Sequence, residues 1–420
     1  MPKLLLALCC LALLCSTAQA EKLSANWPGW RGPDAIGSTP TGTYPTKWTA
    51  DKNLAWKIEL PGRGCSTPIV WDGQILITSA IDDSDGITSY DFSGKQLWQA
   101  AYGKERRGKH RNGSGSNPSP ATDGKFIFVY YKSGLLAGLD MAGKKLWQTN
   151  LIEKYGKDTL YWDHGTSPVM TKKYVVMTLM HEGDSFLAAY EKRTGKLIWK
   201  TKRKYKCPRE GDHSYATPTV IEQDGEQRIV TWGAEHVTCH RASDGKLLWE
   251  CGGFNPQRRG NWVVVASALV TEDVAIVPYG RGTRLAAVKL GGSGDVTETN
   301  RLWTRKDTGA FVPTPAAYDG KLYLLGDRGE VSCLDLKTGK TLWSDALPKS
   351  GRKYYASPTI AAGKLYAARE DGVVFVAELR GKFKVLSENA MNEQIIASPV
   401  PVAGRLLLRG EKHLFCVQGS

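Results

Sequence analysis

Beyond residue 20 this chain has no apolar run approaching the roughly 20 residues that a membrane-crossing helix requires. It has no CxxC pair and no Cys/His spacing suited to zinc, which excludes thioredoxin-like and zinc-finger classes. No stretch of useful length carries the 3.6-residue apolar period of an amphipathic helix, so bundles and α/β folds are also set aside. Recognisable nucleic-acid modules are missing too. The basic excess, 56 Lys and Arg against 42 Asp and Glu for a net +14, is therefore not read as a nucleic-acid footprint.

What is present begins with an export leader. Lys3 precedes the apolar run Leu4 to Leu14, and Ala18-Gln19-Ala20 is the small-x-small pattern cut by a signal peptidase. Cleavage after Ala20 is expected. Lipidation at Cys15 fits poorly behind Leu13-Leu14. The reading is residues 1–20 signal peptide, 21–52 lead-in and 53–420 the folded body, in a periplasmic or secreted location.

Cleavage leaves six cysteines: Cys65, Cys207, Cys239, Cys251, Cys333 and Cys416. Export permits disulfides, and Cys239 and Cys251 flank one tight turn, making them the candidate pair. The competing reading makes Cys239 and Cys333 small buried filler. Two basic segments, Lys104 to Arg111 and Lys200 to Arg209, read either as solvated loops or as a surface for polyanions such as acidic polysaccharide or lipid headgroups.

Internal repetition is the dominant signal. A small residue and a proline open an apolar run at Thr67-Pro68, Ser119-Pro120, Ser167-Pro168, Thr217-Pro218, Thr314-Pro315, Ser357-Pro358 and Ser398-Pro399. The gap of 97 residues between Pro218 and Pro315 is filled by Ser267-Ala268, giving eight starts. A glycine turn running into a tryptophan closes most repeats, at Trp98, Trp147, Trp199, Trp249 and Trp343. Weaker copies are Arg301-Leu302-Trp303, without Gly-Lys, and Gly381-Lys382-Phe383-Lys384-Val385, without tryptophan. The missing end is Leu54-Ala55-Trp56-Lys57-Ile58, which has no start before it.

Within a repeat the pattern is four short strands, for example Thr217 to Ile221, Arg228 to Gly233, Val237 to Ala242 and Lys246 to Cys251. Four strands in 40–50 residues is the size of a propeller blade. The expected fold is therefore all-β, an eight-bladed β-propeller of four-stranded blades. Its ring is closed by the N-terminal strand completing the C-terminal blade, which leaves no open sheet edge. Trp56, Trp98, Trp147, Trp199, Trp249, Trp303 and Trp343 are assigned to packing between blades, with each indole N–H directed at a backbone acceptor next door.

Copies such as Cys333-Leu334-Asp335-Leu336-Lys337-Thr338-Gly339-Lys340-Thr341-Leu342-Trp343 resemble the AxDxxTGKxxW repeat of the quinoprotein (PQQ-like) propellers. That group includes PQQ-dependent alcohol dehydrogenases and the outer-membrane-assembly protein BamB, both eight-bladed. Trp27-Pro28-Gly29-Trp30-Arg31-Gly32-Pro33 and Lys412-His413-Leu414-Phe415-Cys416 look similar to segments of secreted PQQ-like repeat proteins of planctomycete type. The resemblance implies the propeller. It carries the enzyme less well, because the dehydrogenases have a vicinal disulfide beside the quinone and the only Cys-Cys here is Cys9-Cys10, inside the leader. Shape alone does not transfer a reaction.

The segments preceding each start should converge on one mouth of the central funnel, where ligands of such folds bind. They carry His110, Arg111, Asp163, His164, Asp212, His213, Tyr215, Trp262, Tyr355 and Gln394. Asp163-His164 and Asp212-His213 are 49 residues apart, which places the two pairs in adjacent blades. Three readings compete: loop-to-loop hydrogen bonding around a wet channel, a site for a sugar, anion or quinone-like ring, and a metal or acid–base centre. The expectation is an exported, monomeric, non-catalytic propeller that binds an envelope protein or acidic polysaccharide and carries no cofactor and no metal. The alternative is an oxidoreductase using PQQ with calcium.

Overall fold

The computed structural model describes residues 25–271 and 273–419; the leader proposed for residues 1–20 lies outside them. Eight separate sheets account for almost all regular structure, and the only α-helix among the described residues is the short Leu151–Tyr155. Blade 1 consists of Ile69–Trp71, Gln74–Ile81, Ser84–Tyr90 and Gln96–Lys104, hydrogen-bonded in that order from the axis outward. The innermost strands of blades 2 to 8 begin at Ala121, Val169, Thr219, Leu269, Ala316, Thr359 and Val400. In blade 8, Val400–Val402, Arg405–Arg409 and His413–Gln418 are completed on the outside by Leu54–Glu59, with Trp56 opposite Cys416 and Ile58 opposite Leu414. The ring closes at eight, as the repeat pattern requires.

The hydroxyl-proline step has a physical cause. Thr67 N–H donates to Ser119 Oγ, Ser119 to Ser167, Ser167 to Thr217, Thr217 to Ser267, Ser267 to Thr314, and Thr314 to Ser357. Ser398 N–H returns to Thr67 Oγ1 at 3.3 Å. Seven of the eight start hydroxyls thus form a belt around the axis, satisfying buried amides that no strand can reach. The following proline, which has no N–H, removes one donor at the same crowded point.

The tryptophan-glycine pattern holds the blades to one another. The Nε1 of Trp56 donates to Phe92 O, that of Trp98 to Met141 O, Trp147 to Lys192 O and Trp199 to Ala242 O, each in the next blade, whereas those of Trp249 and Trp303 are buried without an acceptor, against expectation. Opposite the tryptophans, on the adjoining strand of the same blade, stand Cys416, Ser89, Gly138, Ala189, Cys239, Ala287 and Cys333. A flat indole needs a small neighbour there, and cysteine meets that need. Cys239 and Cys333 are buried filler, whereas Cys239 and Cys251 are free and face Trp249 and Val237 respectively, not each other.

Two copies depart from the pattern for visible reasons. In blade 5 the connection before Arg301 is lengthened, and its Gly294–Asp295 pairs in parallel with Trp249–Glu250 as a fifth strand of blade 4. Blade 7 lacks its own tryptophan, and Trp48 of the lead-in fills the space between blades 7 and 8, packed among Tyr366, Val376, Leu408 and Phe415.

Strand direction separates two faces. Connections between blades, and the turns joining second and third strands, emerge on the upper face. The lead-in crosses the lower face: Trp27 bridges Val70, Pro28 O accepts from Thr122 N–H, and Ser38–Thr39 pairs in parallel with Ile360–Ala361. Arg31 is buried on the way, donating to Pro358 O at 2.7 Å and Pro315 O at 2.8 Å. Trp30 stands in the channel below the hydroxyl belt.

Candidate functional site at the upper mouth

The long connection from blade 1 to blade 2, residues 105–118, folds inward over the axis. Asp163 holds it there. This buried carboxylate accepts from the amides of Lys109 and His110 at 2.8–3.0 Å and forms an ion pair with the buried Lys132 ammonium. Charge-assisted bonds of this kind are strong where water is excluded. Gly113 packs directly on the same carboxylate, with no room for a Cβ.

From that anchor the loop reaches across to blades 7 and 8. Arg111 meets Glu370 at 3.2 Å, Asn112 Nδ2 donates to Glu370 Oε2 at 3.1 Å, and Gln394 Nε2 donates to Asn112 Oδ1 at 2.9 Å. His110 projects between Trp162, edge-on at 5.1 Å, and Tyr355 at 6.3 Å. Tyr215 Oη accepts from the Trp162 amide at 3.0 Å, and burial pushes this phenol's pKa well up. Beneath the loop remains a cavity of about 140 Å³ lined by belt residues such as Thr67, Ser119 and Ser357 together with Cys65, Tyr215, Tyr355 and Trp30.

Of the residues expected at the mouth, His110, Arg111, Asp163, Tyr215, Tyr355 and Gln394 therefore converge, but Asp163 and Gln394 hold the loop in place. The two Asp-His pairs do lie in successive connections and do different work. His164 is buried against Tyr130, with Nε2 3.4 Å from Asp158 Oδ2. Asp158, paired with His164 and with Arg106 at 3.0 Å, is held far below the usual carboxylate range despite its burial. Asp212 and His213 sit away from the axis beside Glu182. Trp262 is also off-axis, packed on Tyr279 and flanked by Arg259 and Arg284.

The first basic segment is matched in part, the second hardly at all. Arg106, Arg107 and Arg111 face Asp158, Asp83 and Glu370, while Lys200 faces Asp184. Arg203 is buried, donating to Gly233 O, His236 O and Thr238 Oγ1. What the mouth does expose is aromatic: Tyr161 and Trp162, 57% and 43% accessible, stand edge-to-face at 4.7 Å. Sequence reasoning missed Lys132, Glu370 and Trp30. The hydroxyl shared by all eight starts is a signal that small size alone does not capture.

A family model described as outer membrane protein assembly factor BamB matches residues 39–183, 141–296 and 293–382. The chain is 24% identical over 330 residues to the outer membrane protein assembly factor BamB of Moranella endobia, covering 74% of this chain and 76% of that one. Against the protein of the same description from Yersinia pestis it is 23% identical over 332 residues, covering 76% of each. Among solved structures it is similar to BamB from Moraxella catarrhalis, with TM-score 0.60 and 13% identity over 87% of this chain and 97% of that one. It is also similar to a europium-containing methanol dehydrogenase, with TM-score 0.70 and 12% identity over 94% and 92% of the two chains. At these identities the structural likenesses establish the propeller alone.

Proposed function

This chain belongs to the family of outer membrane protein assembly factor BamB, and from that premise we propose that it is a non-catalytic envelope scaffold that presents its upper mouth to a protein partner in outer membrane protein assembly. The observation that carries this reading is the state of the axial channel. Trp30 stands across it and the 105–118 loop caps it from above, leaving about 140 Å³ beneath the loop and a separate space of about 320 Å³ on the lead-in side of Trp30. Sites for drug-sized or cofactor-sized ligands usually run from about 300 to 1,000 Å³. The space beneath the loop falls below that range, and enlarging it would require displacing a loop that Asp163, Lys132 and Glu370 hold in place. This small upper space supports a propeller that works without a PQQ–calcium centre.

The exposed pair Tyr161 and Trp162 offers what a docking face needs: large, rigid apolar area at the rim of a well-supported loop. Next to this pair Arg106, Arg107 and Arg111 are matched to carboxylates, which favours a protein partner over an acidic polysaccharide at this face.

The test is complementation in the native host. Deleting the gene should lower the level of folded outer-membrane proteins. The wild-type gene should restore it, and a Tyr161→Ala/Trp162→Ala variant of unchanged melting temperature should not. Titration of the purified protein with PQQ, with calcium or with a lanthanide, should give neither stoichiometric binding nor dye-linked alcohol oxidation. Tight quinone binding with turnover would overturn the proposal.

A further inference from the structure

On the upper face, away from the axis, the turn after the second strand of blade 3 meets the connection entering blade 4. An isolated bridge between Met180 and Ser214 fixes the two segments beside each other. Glu182 comes from the turn, Asp212 and His213 from the connection. One ligand atom of each lies within 4.8 Å of those of the other two. His213 is 3% exposed, and neither ring nitrogen has a hydrogen-bond partner. Its Nε2 points at Glu182 Oε1, 4.0 Å away. An imidazole buried with both nitrogens unpartnered is costly, since each buried polar atom left unsatisfied forfeits about 1–3 kcal/mol. Every other feature of this connection satisfies its polar groups: His213 N–H donates to Glu210 O, and Ser214 Oγ donates to Trp232 O.

The geometry points to a divalent metal site of the zinc class, with Glu182, Asp212 and His213 as its protein ligands and a solvent-facing position left to water. An imidazole with two carboxylates selects zinc or a neighbouring first-row ion over calcium or magnesium, which prefer oxygen alone. Bonds of about 2.0–2.1 Å place tetrahedral ligands roughly 3.3 Å apart. The 4.0 Å gap closes by a small rotation of the Glu182 side chain, which is free to move because it is more than half exposed. Asp212 and His213, both buried, supply the rigid half of the site. The bound ion would clamp blade 3 to the connection that feeds blade 4. None of these residues holds the axial loop, so the site stands or falls independently of the docking proposal.

The experiment uses the full mature chain, stripped with chelator and titrated with Zn²⁺ by calorimetry. Co²⁺ serves as a spectroscopic substitute. One equivalent of Zn²⁺ should bind and raise the melting temperature, and Co²⁺ should give visible d–d bands. Glu182→Gln, a change at an exposed residue that leaves the fold intact, should weaken binding by about tenfold or more, and His213→Gln should abolish the Co²⁺ bands. His110→Ala, at the axial mouth, should change neither. Absence of binding, or binding and bands indifferent to both Glu182→Gln and His213→Gln, would overturn the assignment.

Discussion

The indole of Trp98 lies against Gly143 of the next blade, and its Nε1 donates to Met141 O in the same turn at 3.1 Å. Gly143 has φ +82° and stands where a Cβ would sit 2.5 Å from the ring. One glycine therefore meets two demands: a left-handed turn and a surface on which a neighbour's tryptophan can lie. The same contact joins Trp56 to Gly94, Trp147 to Gly195, Trp199 to Gly245 and Trp303 to Gly339. The Gly-Lys-x-x-Trp repeat is thus one interface written twice, its glycine facing the preceding blade and its tryptophan the following one.

A pair of alanine variants separates the two demands. Gly143→Ala incurs both backbone strain and a clash with Trp98, while Gly225→Ala meets φ +75° with open space around it. The first should lower stability by about 2–4 kcal/mol and the second by about 1 kcal/mol, read from denaturant melts. Equal losses would show that the ring contributes nothing to the glycine requirement.

Trp48 replaces the tryptophan that blade 7 lacks, although it comes from the lead-in. Trp48→Ala should cost about 3–5 kcal/mol, the usual range for emptying a large buried aromatic site. Trp162→Ala, at an exposed ring, should leave the melting temperature unchanged. A mild effect of Trp48→Ala would mean that the lead-in is an accessory to the ring and not part of its wall.

Repetition made the propeller legible: eight starts and one displaced strand at Trp56 fix the number of blades and the closure before any contact is known. The mouth was legible in part. His110, Arg111, Tyr355 and Gln394 converge because their segments occupy the same position in different blades. Their partners Lys132 and Glu370 were invisible, since they sit in turns within a blade, where no repeat landmark marks them. Trp262 misled for the opposite reason, because equal sequence position does not fix radius from the axis. Trp30 belongs to no repeat at all.

The ion pair of Asp163 and Lys132 determines the position of the axial loop. Asp163→Asn leaves a buried ammonium without its counter-charge and should destabilise by about 3–5 kcal/mol. Adding Lys132→Met should recover much of that loss, because no unpaired charge then remains. Hydrogen exchange across residues 105–118 should quicken in the single variant. A double variant no better than the single one would show that hydrogen bonding to the loop amides matters more than the charge.

Asp85 gives stability an unusual dependence on pH. The carboxyl is fully buried, accepts from Ser133 Oγ, and has no partner at Oδ1. Burial raises its pKa from 3.8 to about 7, with Glu105 adding to the rise and the Ser133 hydroxyl opposing it. The unfolded chain gives up this proton near pH 3.8, while the folded chain keeps it until about pH 7. Between those values the native state holds more protons, so this group's contribution is greatest below pH 3.8 and declines as pH rises to about 7. Asp85→Asn removes the ionisable group. The melting temperature of the variant relative to wild type should climb steadily across that window and level off above it. A difference that stays flat from pH 4 to pH 8 would mean that Asp85 is ionised inside the folded blade, and that a charge is tolerated between Ser133 and the surrounding strands.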